Sequence, residues 1–212
     1  MTDPERPEGL KRRVGYLENS KRKEYTSLLK GMLSKHRCTH SLNVAEEAVR
    51  LAKRYHADVE KAETAGLLHD IMKETEPNEQ RSLILRYDKH NTFDSAPMLV
   101  SDKLLHGPAG AAYCRLVLRI KDEEILNAIF FHTTARPDMT LVEKIVYIAD
   151  YTSRERNYKE VELVRKLADK SLEATIAFTT SYTIRDLLSK KQPLNIYTVE
   201  AYNQYIASGR NI

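Results

Sequence analysis

Apolar residues recur at three- and four-residue intervals through most of this sequence, and few helix-breaking residues interrupt them. The clearest stretch runs from Thr39 to Tyr55, where Val44, Ala48, Leu51, Ala52 and Tyr55 share one side of a helix. Further helices are expected from about Lys21, with Leu28, Leu29, Met32 and Leu33 as the stripe, and from Val59 to about His69 behind an Asp58 N-cap. Others are expected around Glu79 to Tyr87, from about Pro108 to Leu118, and from an Asp122 cap through Phe131. Thr140 should cap a helix from Leu141 to about Tyr151, with Val161 to Lys170, Leu172 to Lys190 and 196 to 207 completing the set. Only 7 Gly and 7 Pro occur in 212 residues, too few obligate turns for a many-stranded sheet. The expected fold is an all-α, single-domain helical bundle. Its domain spans 21–212, preceded over 1–20 by a basic, partly ordered leader containing Pro4, Pro7 and Gly9.

Composition narrows the class. At 42% hydrophobic residues the chain can bury a real core. Its net charge of +4, from 34 basic and 30 acidic residues, is compatible with an anionic small-molecule ligand and does not by itself indicate a nucleic-acid protein. The basic excess crowds the first forty residues at Lys11, Arg12, Arg13, Lys21, Arg22, Lys23, Lys30, Lys35 and Arg37. We read it as a solvated start rather than a polyanion-binding arm. Cys38 and Cys114 lie far apart and form no Cys-x-x-Cys pair, which suits a reducing, cytoplasmic compartment. With charges at Asp3, Glu5 and Arg6 and no apolar run behind them, no signal peptide is expected. Nothing approaches the ~18 uninterrupted apolar residues of a membrane span, so the expected protein is soluble.

Polar residues set into the apolar stripes carry the chemistry. His40 stands four residues before Val44, on the face that should be buried. His69 and Asp70 follow Ala65-Gly-Leu-Leu at the end of a buried helix, and Asp150 ends the run Ile145-Val-Tyr-Ile-Ala. A carboxylate in such a place is costly unless it is paired or bound to a metal. Two imidazoles and two carboxylates make a mixed nitrogen–oxygen set. Such a set suits iron, manganese, cobalt or zinc better than a thiolate-loving ion. His106 and His132 lie beside small or turn-forming residues and can join them, whereas His36, His56 and His90 read as surface residues.

These residues also sit in blocks with a family likeness. Arg37-Cys-Thr-His40-Ser-Leu-Asn-Val-Ala-Glu46, Ala65-Gly-Leu-Leu-His-Asp-Ile-Met-Lys73, Leu105-His-Gly-Pro-Ala109, His132-Thr-Thr-Ala-Arg-Pro137 and Glu143-Lys-Ile-Val-Tyr-Ile-Ala-Asp150 occur in this order. The chain resembles the YqeK branch of the HD superfamily of metal-dependent phosphohydrolases, the bacterial symmetrical bis(5′-nucleosyl)-tetraphosphatases. The resemblance implies an iron-containing enzyme that cleaves diadenosine tetraphosphate into two ADP. It implies metal ligands at His40, His69, Asp70 and Asp150, with a second ion at His106 and His132 as an alternative. It makes Asp70, Lys73, His106 and His132 the catalytic groups. Substrate contacts are expected at Arg37, His40, Lys73, His106, His132, Thr133, Thr134 and Asp150, joined by Arg154 and Arg156. Tyr147 or Tyr151 are candidates to stack on a base, with core packing the default for Tyr147. A homodimer is a further possibility, while a membrane or specific nucleic-acid partner is not expected.

The chain departs from the family pattern at Asn43 and Ala135, where Gly is usual, and at Ser153-Arg-Glu-Arg156, where Glu-Pro-Asn-Arg is usual. The competing readings are an HD phosphohydrolase for a nucleoside monophosphate, an alarmone or a cyclic dinucleotide, a non-catalytic nucleotide-binding HD protein, and a basic RNA-associated protein.

Overall fold

The computed structural model of the protein describes residues 17–88 and 96–208. Most of the leader expected over 1–20, and His90, lie outside the described residues. Leu17 is buried, its N–H donates to Glu63 (3.1 Å), and the first helix already begins at Asn19.

Among the described residues there are ten α-helices, one 3₁₀ turn and no strand, as the all-α expectation required. They are α1 (Asn19–Met32), α2 (Lys35–Arg54), α3 (Val59–Leu68), α4 (Pro77–Asp88), the 3₁₀ turn Ala96–Val100, α5 (His106–Leu116) and α6 (Glu123–Phe131). After these come α7 (Leu141–Thr152), α8 (Val161–Ala168), α9 (Leu172–Ser189) and α10 (Ile196–Ser208). The expected caps are in place. Asp58 accepts from Lys61 N–H, Asp122 accepts from Glu124 and Ile125 N–H, and Thr140 and Glu143 form a reciprocal capping box.

Four starts lie earlier than the sequence reading, those of α1, α2, α4 and α5, and two of them have a local cause. α2 begins at Lys35 rather than Thr39, because Ser34 accepts the Arg37 N–H and caps it. α5 begins at His106 rather than Pro108, since the first-turn N–H groups of a helix lack intrahelical partners and a proline there costs nothing.

The core centres on α7, which packs against α2, α3, α6, α8 and α9. Ile145, Val146, Ile148 and Ala149 are each 0% exposed, so this helix is apolar nearly all round. Each fully buried aliphatic side chain of this kind contributes roughly 1.5–3 kcal/mol. Small residues bring α2 and α3 together: a Cβ on Gly66 would sit 3.0 Å from Cα of Ala45. A Cβ on Gly107 would fall 2.6 Å from the carbonyl oxygen of Phe130, so α5 and α6 meet there backbone to backbone. These two close approaches draw the start of α2, the end of α3, the start of α5 and the end of α6 towards the end of α7. No helix among the described residues is long and apolar enough to cross a membrane.

Candidate metal centre

His40 lies in the first half of α2, His69 caps the C-terminus of α3 with Asp70 directly after it, and Asp150 stands near the end of α7. Their donor atoms meet. His40 Nε2 is 3.3 Å from His69 Nε2, 3.0 Å from Asp150 Oδ1 and 3.8 Å from Asp70 Oδ2. His69 Nε2 lies 3.6 Å from Asp70 Oδ2 and 3.9 Å from Asp150 Oδ1. Ligand atoms each ~2.1 Å from a shared metal stand roughly 3.0–3.5 Å from one another, close to this spacing.

Proton placement sharpens the fit. His69 Nδ1 donates to the Gly66 carbonyl (2.8 Å), and His40 Nδ1 faces Glu155 Oε1 (2.5 Å). Both Nε2 atoms therefore turn lone pairs towards each other at 3.3 Å, an arrangement that a cation between them satisfies. Burial drives the His69 pKa down to about 4, so this ring is neutral at pH 7 and able to ligate. Burial also opposes charge on Asp70 and Asp150, yet both stay well below the usual carboxylate range. His69, His132 and Lys73 hold down Asp70, and Arg156 and His40 hold down Asp150. Burial would lower His40 too, but its bonds to Asp150 and Glu155 leave it raised. The sequence reading buries Asp150; in the structure its side chain is largely buried but 18% exposed, where the last turn of α7 meets a cavity.

A second group adjoins the first through the other oxygen of Asp70. Asp70 Oδ1 is 3.2 Å from His106 Nε2 and 3.5 Å from His132 Nε2, and those two nitrogens are 3.1 Å apart. His132 caps the C-terminus of α6, and its Nδ1 donates to the Ile129 carbonyl (2.7 Å). Lys73 Nζ sits 2.9 Å from His106 Nε2 and 3.8 Å from Asp70 Oδ1. Burial pushes the Lys73 and His106 pKa values down.

The remaining expected contacts divide. Arg37 Nη1 approaches Asp70 Oδ2 (3.4 Å) from the rim, and Arg156 pairs with Asp150 from the opposite side. Thr133 lines a cavity of about 310 Å³ together with His132, Asp150, Tyr151, Arg156, Tyr158 and Tyr182, and its hydroxyl has no partner among the described residues. Thr134 is 1% exposed and turns its hydroxyl to the Ala135 carbonyl, away from that cavity's lining. Arg154 is 69% exposed and reaches Glu46 on the outer side of α2 (3.3 Å), so the structure does not bring it to the cluster. Tyr147 is in the core, whereas Tyr151 lines the cavity. His36 and His56 are exposed. Tyr158 and Tyr182 are absent from the sequence reading, and Glu155 enters it only inside the block Ser153-Arg-Glu-Arg156, with no role of its own. The two tyrosines come from a loop and from α9, and no periodicity or motif marks them. A larger cavity, about 660 Å³ and lined by residues such as Tyr25, Lys61 and Asp122, shares no residue with this site.

The profile of the HD domain matches residues 37–155, more than half of the chain and all of its clustered donors. The chain belongs to the HD-domain family. Family members are metal-dependent phosphohydrolases, and the His/Asp cluster of this HD domain is of a kind that holds a divalent metal ion. A symmetrical bis(5′-nucleosyl)-tetraphosphatase of Halalkalibacterium halodurans is 42% identical over 84% of this chain and 94% of its own length. The protein of the same description from Bacillus subtilis is 36% identical, over 89% of this chain and 98% of its own length. This HD domain thus falls within the tetraphosphatase branch. Its fold matches the crystal structure of an HD-superfamily hydrolase from Clostridium acetobutylicum, described as involved in NAD metabolism. The TM-score is 0.83 at 37% identity, covering 92% of this chain and 100% of that one.

Proposed function

We propose that this HD domain hydrolyses dinucleoside tetraphosphates symmetrically, releasing two ADP from diadenosine tetraphosphate. The single observation that carries this reading is the ring of buried donors, with two imidazole Nε2 atoms facing across 3.3 Å beside two ionised carboxylates. His40, His69, Asp70 and Asp150 would hold one divalent metal, with iron the proposed ion. When bound, such a cation supplies Lewis acidity to a phosphoryl oxygen and makes a coordinated water more acidic.

The protein's own groups do the rest. A tetraphosphate chain brings several negative charges, and Arg37, Lys73 and Arg156 surround the cluster with positive charge to receive them. His106 and His132 face the same space and are assigned to phosphate, with the Lys73 side chain 2.9 Å from His106 Nε2 bringing positive charge beside them. A nucleoside diphosphate is a good leaving group, so charge neutralisation matters more than its protonation. The cavity beside Asp150 offers three tyrosine faces for a base and the free Thr133 hydroxyl for a polar group of the nucleoside. Residues 21–212 are taken as the catalytic unit and 1–20 as a basic leader, in the cytoplasm; a homodimer fits the same reading.

Purified protein loaded anaerobically with Fe²⁺ or Mn²⁺ and given diadenosine tetraphosphate should yield two equivalents of ADP by anion-exchange chromatography. AMP plus ATP, or turnover confined to a monophosphate, an alarmone or a cyclic dinucleotide, would reject the proposal.

A further inference from the structure

Three of the four histidines that ligate or adjoin the centre, His40, His69 and His132, solve the same problem in different ways. Each must offer Nε2 inward, so each needs an acceptor for its Nδ1–H on the other side. His69 and His132 each stand one residue past the end of a helix. There the carbonyl three residues back, Gly66 or Ile129, belongs to the last turn and lacks an intrahelical N–H partner. Both rings use that carbonyl. His40 has no such option, because it lies within α2, where the neighbouring carbonyls are taken by the helix's own N–H groups. Its acceptor must come from elsewhere in the chain.

We infer that Glu155 is a positioning residue, whose carboxylate holds His40 with Nε2 aimed at the metal centre. Glu155 Oε1 lies 2.5 Å from His40 Nδ1, across 115 positions of sequence. The carboxylate is itself held: Asn43, one turn along α2 from His40, donates Nδ2 to Oε2 (2.6 Å), and the Ser153 hydroxyl donates to Oε1 (2.8 Å). Asn43, Ser153 and Glu155 thus come together from two separate parts of the chain. They form one device: an asparagine and a serine fix a carboxylate, and the carboxylate fixes a ligand. A carboxylate acceptor also makes the ring a stronger donor to a cation than a neutral carbonyl does. Steric accommodation alone would not require a carboxylate at the imidazole edge that is itself held by two further polar groups.

The inference rests on the metal-centre reading, and one experiment separates the two. Zn²⁺ affinity is measured by competition with a fluorescent chelator for wild-type protein, Glu155→Ala, Glu155→Gln, Asn43→Ala and His69→Ala. The His40 tautomer is followed in the same metal-free variants by ¹⁵N NMR of the imidazole. Loss of an outer acceptor of this kind weakens metal binding roughly 10–100-fold, which is the effect expected for Glu155→Ala. In that variant His40 should also pass from a fixed Nδ1–H form to a tautomer mixture. Glu155→Gln keeps an acceptor oxygen and should restore the tautomer and most of the affinity, and Asn43→Ala should fall between. His69→Ala should lose the metal altogether. If Glu155→Ala bound Zn²⁺ within twofold of wild type while His69→Ala lost it, the inference would fall and the metal centre would stand. If His69→Ala also bound as wild type, both would fall. Should Glu155→Ala fail to fold, Glu155→Gln and Asn43→Ala read the same tautomer and decide the matter.

Discussion

Ala135 holds a left-handed backbone (φ 57°), immediately after the His132–Thr134 segment that closes the centre. A side chain with a Cβ resists that conformation by roughly 1–2 kcal/mol, and a glycine does not. The greater freedom that glycine brings to the unfolded chain offsets part of the gain. Ala135→Gly should therefore raise stability by about 0.5–1 kcal/mol and leave hydrolysis unchanged, read as the urea midpoint at constant slope. A lower midpoint would mean that the buried Ala135 methyl group contributes more to packing than the backbone loses to strain. At this scale the sequence is informative where a residue contradicts its surroundings. His40, His69, Asp70 and Asp150 stand out because a polar group interrupts an apolar stripe, and the structure does bring each imidazole Nε2 within 4 Å of the other and of both carboxylates. Glu155 and Tyr158 contradict nothing around them: a glutamate or a tyrosine in a loop is ordinary, and only the fold gives it a neighbour. Arg154 is the converse case, a cation adjacent in sequence to a site residue but directed outward by the turn after α7.

Helix termini place most of the site. His69, Asp70 and His132 follow the last residues of α3 and α6, Asp150 lies in the last turn of α7, and His106 opens α5. Helix ends leave backbone groups available to orient side chains, and they are the places where a buried polar cluster is least disruptive. The contact between Gly107 and the Phe130 carbonyl sets the distance between two of these ends. Gly107→Ala would force α5 and α6 apart, carrying His106 and His132 with them. We expect a loss of about 1–3 kcal/mol by urea denaturation, as for other overpacked contacts, together with a fall in kcat. Unchanged stability and kcat would show that the two helices can slide without cost. Helix identity is readable from spacing and caps throughout the chain, because the 3- and 4-residue repeat and residues such as Asp58, Asp122 and Thr140 are local signals. The starts of α2 and α5 are less so. Ser34 competes with other residues as a cap, and Pro108 fits anywhere in a first turn.

For the molecule as a whole, an apolar central helix and close-packed small residues form a rigid frame around a polar centre. Packing alone does not satisfy that centre. The fold class follows from periodicity, since nearly every stripe finds a neighbour to cover it. The order in which helix ends converge does not follow, since it depends on contacts such as His40 with Glu155 that span more than 100 residues. Two inward lone pairs and two ionised carboxylates at such short range cost free energy unless a cation joins them. The most direct test is the metal content of protein purified anaerobically, loaded with Fe²⁺ and freed of excess metal by gel filtration, for wild type and Asp70→Ala together. The account predicts one tightly held ion per wild-type chain, and neither metal nor hydrolysis in Asp70→Ala. Wild-type protein that hydrolyses substrate without retaining metal, or an Asp70→Ala variant that keeps both, would contradict it.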